Sequence, residues 1–268
     1  MKILVLGDVM GASGRNALNK KLPKLIESNE IDFVIVNGEN SADDGRGITQ
    51  EIAEEFFKIG VDVITSGNHI WDKQETTNYI NKENRLLRPA NLVEASPGRG
   101  YEIYVSKNKK YKIGVINLMG NVFMRKTEDV FKEAIKIKKK MILKKNVDFL
   151  VVDFHGEITI EKMATGHFFD GQATCVVGTH THVPTADTRI LENGTAYQTD
   201  IGMCGDYNSV IGMNKENSIK RFLKDKDAVN HFPAEGEGTL SGVIVETNIK
   251  TGLAKNVIRV IDGGSLVK

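Results

Sequence analysis

The sequence predicts an α/β protein in which two facing sheets are covered by helices on both outer sides, a four-layer αββα sandwich. Two observations favour this class. In the first half of the chain, apolar runs of strand length alternate with segments of helix length, which is typical of a largely parallel sheet. In the second half, pairs of strand-like runs are joined by short polar breaks, which indicates hairpins. We expect residues 1–268 to form a single domain, since no repeat or linker-like tract divides them.

The first half contains three predicted strands separated by two predicted helices. The strand-like runs KILVL, DFVIV and VDVIT occupy residues 2–6, 32–36 and 61–65. Helix patterns lie between them, from about residue 17 to 28 and over residues 48–60. The second pattern ends at Gly60, a residue type that commonly stops helices. This alternation predicts a sheet that begins with parallel strands.

The second half contains three predicted hairpins. Their strand pairs cover residues 101–106 with 111–118, 188–191 with 195–199, and 242–248 with 253–261. A long helix is predicted from about residue 127 to 145, followed by strands at residues 147–155 and 175–180. The basic run IKIKKKMILKK in this helix fits a solvated helix face better than an RNA-binding surface.

Composition argues against several classes of protein. The 36 basic and 35 acidic residues leave a net charge of +1, so no overall field attracts nucleic acid or an anionic membrane. We expect no signal peptide and no membrane span, because no apolar stretch approaches about 20 residues. Cys175 and Cys204 are expected to be reduced thiols. We therefore expect a soluble, cytoplasmic protein that forms no stable nucleic-acid complex.

Five short segments place candidate ligands directly after predicted strands. They carry carboxylate, amide and imidazole groups, which two-metal hydrolytic centres use. The candidate residues are Asp8, Glu39, Asn40, Asn68, His69, His155, His180 and His182. Each has an ordinary structural alternative: Gly7-Asp8 fits a turn or a helix cap, a lone His-x-His is usually incidental, and Asn40 fits a hydrogen bond that holds the Glu39 loop. Their joint occurrence at strand ends favours a metal site.

The types of donor restrict the metals and the substrate. A carboxylate can bridge two metals, and imidazoles suit iron, manganese or zinc better than calcium. An extended backbone through His180-Thr181-His182 would send both imidazoles to the same side, so that neighbouring metals receive one each. Two divalent ions held by two carboxylates and neutral ligands retain about two positive charges, which favours an anionic phosphate ester. We predict two metal ions per chain, with iron or manganese preferred and magnesium as a further option.

The motifs that carry these residues resemble those of the calcineurin-like metallophosphoesterases. The set LGDVMG, VNGEN, SGNHIWD, DFHGE, VVGTHTHVPTAD and TDIGMCG resembles the bacterial YmdB-like subfamily almost from end to end. The resemblance implies the calcineurin-like fold. It also implies a dinuclear phosphodiesterase that acts on cyclic nucleotides, in particular 2′,3′-cyclic ones.

The resemblance also implies a ligand set. Most calcineurin-like enzymes have histidine where this chain has Met10, a poor ligand for a hard metal, and in the YmdB-like group the asparagine matching Asn40 replaces it. Gly156 stands where alanine is expected in the family motif, which leaves the neighbouring ligand intact. One metal is implied to take Asp8, Glu39, Asn40 and His182, and the other Glu39, Asn68, His155 and His180, with Glu39 bridging.

We predict hydrolysis by a hydroxide that bridges the metals and attacks phosphorus in line with the leaving oxygen. In a strand-end loop His69 can point to a different side from Asn68, which makes it a candidate general acid, and the resemblance supports this role. His167 and His231 lie outside the motifs and are expected to be structural. The sequence assigns no chemistry to Asp200 in TDIGMCG.

Two other functions stay open at this point. A phosphomonoesterase or nucleotidase would use the same metals and nucleophile. A nucleotide-sensing regulatory or RNA-associated protein would bind without turnover, although a sensor has no need of the acid His69. A homo-oligomer is the default expectation for a soluble enzyme.

Overall fold

The structure of the protein, a computed structural model, describes residues 1–93 and 95–266. Its helices and strands follow in this order: β1 (Lys2–Leu6), β2 (Asp8–Val9), α1 (Gly11–Asn29), β3 (Phe33–Asn37), α2 (Gln50–Lys58), β4 (Val63–Thr65), α3 (Gln74–Tyr79), β5 (Tyr101–Val105), β6 (Lys112–Met119), α4 (Val130–Lys138), β7 (Phe149–His155), α5 (Thr159–Phe169), β8 (Cys175–Thr179), β9 (Arg189–Ile190), β10 (Ala196–Gln198), β11 (Met203–Cys204), α6 (Lys215–Phe222), β12 (Leu240–Thr247) and β13 (Ala254–Asp262).

The strands form two large sheets and one small pair. The first sheet has the order β13-β12-β1-β3-β4, in which β1, β3 and β4 are parallel. The second has the order β5-β6-β7-β8-β10-β9, in which β6, β7, β8 and β10 are parallel. β2 pairs with β11. The three predicted hairpins are confirmed, since β5–β6, β9–β10 and β12–β13 pair antiparallel.

Alternation of side chains along the strands explains the layers. In β1, Ile3 and Val5 pack in the core between the sheets, with Val151 of β7 opposite, whereas Leu4 belongs to the core beneath α1 and α2. Leu150 of β7 points outward to the core beneath α4 and α5. The order of layers is therefore helix, sheet, sheet, helix, and the predicted four-layer α/β architecture is confirmed.

The predicted helix from about residue 127 to 145 is too long. α4 ends at Lys138, and the chain turns back at Lys144, which has φ +62° and donates its backbone N–H to Val147 O at 2.7 Å. Met141 and Val147 are buried in the core under α4. The early turn is what lets these apolar side chains reach that core before β7 begins.

Two further properties bear on the predictions. None of the helices within residues 1–93 and 95–266 combines the length and the apolar character needed to cross a bilayer. Cys175 and Cys204 are both buried as free thiols, and burial raises the pKa of each to about 12.

Candidate metal centre

The carboxyl ends of β1, β3, β4, β7 and β8 meet at one edge of the two sheets and bring the eight candidate residues together. Close approach of the loops requires a glycine before Asn68. A Cβ atom on Gly67 would lie 2.2 Å from two ring atoms of His155. Asp8, Glu39, Asn40, His155 and His182 are buried, and Asn68, His69 and His180 are partly buried.

His155 is the centre of the larger group of contacts. Its Nε2 lies 3.3 Å from Glu39 Oε1, 3.2 Å from Asn68 Oδ1 and 3.1 Å from His180 Nδ1. Its Nδ1 lies 3.0 Å from Thr179 Oγ1 and 3.5 Å from Asp8 Oδ1. The structure thus brings three of the predicted ligands, which follow β3, β4 and β8, into contact with a fourth, His155 at the end of β7.

His182 and Asn40 form the second group. His182 Nε2 lies 3.2 Å from Asn40 Oδ1, and His182 Nδ1 donates to the carbonyl oxygen of Ile211 at 2.8 Å. Asn40 Nδ2 donates to Gly45 O at 2.9 Å, which turns the amide oxygen towards the imidazole. Asp8 belongs to the first group, because its Oδ1 lies 3.5 Å from His155 Nδ1 and its Oδ2 accepts a hydrogen bond from the backbone N of His180 at 3.0 Å.

The expectation of an extended backbone through His180-Thr181-His182 is wrong. His180 has φ +100° and His182 has φ +66°, in a region that side-chain-bearing residues seldom occupy. The Asp200 carboxylate binds the segment between them through the backbone N of Thr181 at 3.1 Å and its hydroxyl at 2.7 Å. The two imidazoles consequently diverge, one towards His155 and the other towards Asn40.

The hydrogen bonds leave two imidazole nitrogens facing oxygen atoms of other candidate ligands. Thr179 Oγ1 donates to Asp153 Oδ1 at 2.7 Å and so accepts from His155 Nδ1–H. With that proton on Nδ1, Nε2 faces the oxygens of Glu39 and Asn68. In His182, whose Nδ1 donates to Ile211 O, Nε2 faces the amide oxygen of Asn40 in the same way. Either a second proton or a metal cation between the nitrogen and the oxygens makes such contacts favourable.

Buried charges in the cluster also shift pKa values. Desolvation raises the pKa of Asp8 despite opposition from His155 and His182. Desolvation also favours a higher pKa for Glu39, but the charge and hydrogen bond of His155 outweigh it and hold the pKa of Glu39 below its usual value. Burial opposes protonation of His155, yet Glu39 and Asp8 raise the pKa of His155 to about 9. Burial and the charges of His155 and His182 lower the pKa of His180 to about 2.

Two carboxylate oxygens of the cluster make no hydrogen bond. Asp8 Oδ1 and Glu39 Oε2 are buried atoms without a hydrogen bond, a costly arrangement for ionised groups. Within the part of the chain that the structure describes, no group of three His, Cys, Asp or Glu side chains forms a ready metal cage. The imidazoles instead contact one another and the two amides. The donor set and the two oxygens without a hydrogen bond nevertheless fit divalent cations.

His69 lies beside the cluster. Its backbone N donates to Glu39 Oε1 at 2.9 Å, and its Nδ1 lies 2.7 Å from Asp72 Oδ2. Asp72 also contacts Arg125, with Oδ1 at 3.3 Å from Nη2. The side chain of His69 is 24% exposed, so its ring lies at the mouth of the site with one nitrogen held by a carboxylate.

Several supporting residues were missed at the sequence level. Asp153 Oδ2 accepts from Asn37 Nδ2 at 2.9 Å and from the Thr65 hydroxyl, so it connects the ends of β3, β4 and β7. Glu157 Oε2 lies 3.1 Å from His180 Nε2. Both acids stand in or beside the DFHGE motif, two residues before and after His155, and this adjacency was the signal available.

Asp200 also acquires a role. Lys162 of α5 donates from Nζ to Asp200 Oδ2 at 2.6 Å, and Asp200 Oδ1 accepts from the backbone N of Gly202 at 2.8 Å. The carboxylate therefore ties α5 to the loop that carries His180 and His182. No sequence pattern marks Lys162, because a lone lysine in a helix is ordinarily exposed.

The model of YmdB-like proteins matches residues 4–260. The chain belongs to the YmdB-like family. It is 44% identical over 261 residues to the 2′,3′-cyclic-nucleotide 2′-phosphodiesterase of Bacillus subtilis, with 97% of each chain covered. The crystal structure of a phosphatase from Mycoplasma pneumoniae is 36% identical, with a TM-score of 0.88 over 98% of this chain and 94% of that one.

More distant structures agree with the predicted fold. A 5′-nucleotidase from Candida albicans, 13% identical, has a TM-score of 0.56 over 97% of this chain and 50% of that one, a likeness in fold alone. The YmdB-like family and the calcineurin-like fold, both predicted from the sequence motifs, are thereby confirmed. The names of the relatives agree with the predicted enzyme class.

Proposed function

We propose that this YmdB-like protein is a dinuclear metal-dependent phosphodiesterase that hydrolyses cyclic nucleotides, with 2′,3′-cyclic nucleotides as the preferred class. The observation that supports the metal site is the buried cluster in which Nε2 of His155 and Nε2 of His182 face amide and carboxylate oxygens. Asp8 and Glu39 each add a buried oxygen that makes no hydrogen bond and is available to a cation. The B. subtilis relative, covered over nearly its whole length, supports the substrate class.

The contacts support part of the implied division of the ligands, because His182 lies against Asn40, and His155 lies against His180 and Asn68. The family resemblance implies that Asp8 would join His182 and Asn40 at one ion and that Glu39 would serve both ions. Hydrogen bonds from Nδ1 to Thr179 Oγ1 and to Ile211 O orient the rings of His155 and His182 and leave Nε2 for a metal. Divalent ions bound there supply a nucleophile from water at neutral pH and neutralise charge on the phosphoryl oxygens.

His69 is positioned to protonate the leaving oxygen. Asp72 holds Nδ1, so Nε2 is the nitrogen left for the substrate. The backbone hydrogen bond to Glu39 keeps this residue next to the candidate bridging carboxylate. General acid catalysis of this type contributes about 10²- to 10⁴-fold in rate.

The testing experiment measures 2′,3′-cyclic AMP hydrolysis by chelator-stripped protein before and after manganese, iron or magnesium is added. Two bound metals and restored turnover are expected. Absence of turnover with two metals bound would overturn the diesterase proposal for this substrate, and absence of metal binding would overturn the proposed centre.

A phosphomonoesterase is the second candidate, because the M. pneumoniae relative is described as a phosphatase. Both reactions would use the same metals and the same acid. Rates on 2′,3′-cyclic AMP and on the monoesters 2′-AMP and 3′-AMP separate them. The diesterase proposal expects the cyclic substrate to react much faster.

A further inference from the structure

Phe123 is the most exposed large apolar side chain in the described ranges, at 85%. It lies in the loop between β6 and α4, and its φ of +61° places it in the left-handed region that favours glycine. Phenylalanine is disfavoured there, and exposure of its ring buries no apolar surface. A residue held in this way is a candidate for contact with a ligand.

The loop around Phe123 is anchored on both sides. The backbone N atoms of Asn121 and Val122 donate to the Glu161 carboxylate at 3.1 and 3.2 Å. Asn121 Nδ2 donates to Thr127 Oγ1 at 2.9 Å, and its Oδ1 accepts from the backbone N of Val130 at 3.0 Å. The backbone on either side of Phe123 is thus fixed, although its ring is free.

The anchors also locate the ring relative to the candidate metal centre. Gly120 donates its N–H to the carbonyl oxygen of His155 at 3.0 Å, and Arg125 contacts Asp72, the partner of His69. Consecutive Cα atoms are about 3.8 Å apart, so the Phe123 Cα lies within about 11 Å of the Gly120 Cα and about 8 Å of the Arg125 Cα. The loop that carries Phe123 therefore contacts both the His155 strand end and Asp72, the partner of the candidate acid.

We propose that Phe123 is a stacking platform for the base of a nucleotide substrate, an inference that rests on the proposed function. An aromatic ring offers a base a flat apolar face, and a rigid backbone lowers the entropy lost on binding. Stacking acts on binding of the base and leaves the chemistry at phosphorus unchanged. The platform tolerates any base but holds purines more strongly than pyrimidines.

The test compares Phe123→Ala and Phe123→Trp on 2′,3′-cyclic AMP, 2′,3′-cyclic UMP and glycerol 1,2-cyclic phosphate, a cyclic diester without a base. Phe123→Ala is expected to raise KM for cyclic AMP roughly 5- to 150-fold, with a smaller rise for cyclic UMP and unchanged kcat. KM for the glycerol ester stays unchanged, and Phe123→Trp restores cyclic AMP binding. Phe222→Ala, which removes a ring 81% exposed on α6, is the matched control.

Two results would overturn the inference. In the first, Phe123→Ala leaves KM for the nucleotides unchanged; in the second, it raises KM for the ester without a base as much as KM for the nucleotides. The second would make Phe123 a structural element of its loop. If the wild-type protein hydrolyses none of the three esters, the proposed function fails on its own account. Quenching by AMP of the tryptophan fluorescence of the Phe123→Trp variant, relative to the wild-type protein, then decides whether a base stacks there.

Discussion

Replacing Lys162 by methionine removes the cation from a buried ion pair that holds the loop of the two candidate histidine ligands. Lys162 Nζ lies 2.6 Å from Asp200 Oδ2, and both side chains are 1% exposed. Loss of one partner from a buried pair costs about 3–5 kcal/mol, since the remaining charge stays desolvated. Asp200 keeps its hydrogen bonds from Thr181 and Gly202, so we expect the lower end of this range.

A loss of about 3 kcal/mol lowers Tm by roughly 6–12 °C in a protein of this size. Thermal unfolding of the metal-free protein measures this directly. Lys255→Met removes one partner of an exposed pair with Glu246 and is expected to shift Tm by at most about 4 °C. Lys162→Met is also expected to bind metal more weakly. Its partner Asp200 holds Thr181, which lies between the two candidate ligands His180 and His182.

A double-mutant cycle decides whether charge is the cause. Asp200→Asn alone leaves Lys162 buried and charged, whereas the double variant Lys162→Met/Asp200→Asn buries neither charge. We expect the double variant to lose at least about 1 kcal/mol less stability than the sum of the single losses. Additive losses, or an unchanged Tm in Lys162→Met, would refute the reasoning.

The remaining predictions concern the centre and its acid. His69→Ala should lower kcat by about 10²- to 10⁴-fold and leave the metal content unchanged, and Asp72→Asn should lower kcat by less. Replacement of the exposed His231 by alanine serves as the control. Loss of metal in His69→Ala would contradict the role of His69 as the general acid. Gly67→Ala should reduce bound metal, because the new Cβ would lie 2.2 Å from the His155 ring, and unchanged metal content would speak against the cluster. Manganese at 100 times its Kd should stabilise the stripped protein by about 2.7 kcal/mol for each site that it fills, and a Tm that does not respond to manganese would argue against a folded-state metal site.

Much of the fold could be predicted from local sequence patterns. Strand runs such as residues 2–6 and 61–65 could be recognised because apolar content and flanking polar residues are local properties. The hairpins could be recognised because only a short polar segment separates their two strands. Helix α5 was not predicted, because Thr159, Thr165 and Gly166 have low helix propensity. Gly166 is there because the Tyr197 ring packs against it: a Cβ would lie 2.5 Å from that ring. Contact with a strand distant in sequence, rather than propensity, makes this segment helical.

The sequence by itself determined the chemical character of the candidate site, since carboxylates, amides and imidazoles after strands are set by residue type and local pattern. Tertiary structure decided which group meets which. Asp8 and His180 lie 172 residues apart, yet one hydrogen bond joins them. The roles of Asp200 and Lys162, and the diverging histidines, likewise depend on long-range contacts. Periodicity reports only the face of a single element, so these contacts become visible only when the strand ends of two sheets are brought together.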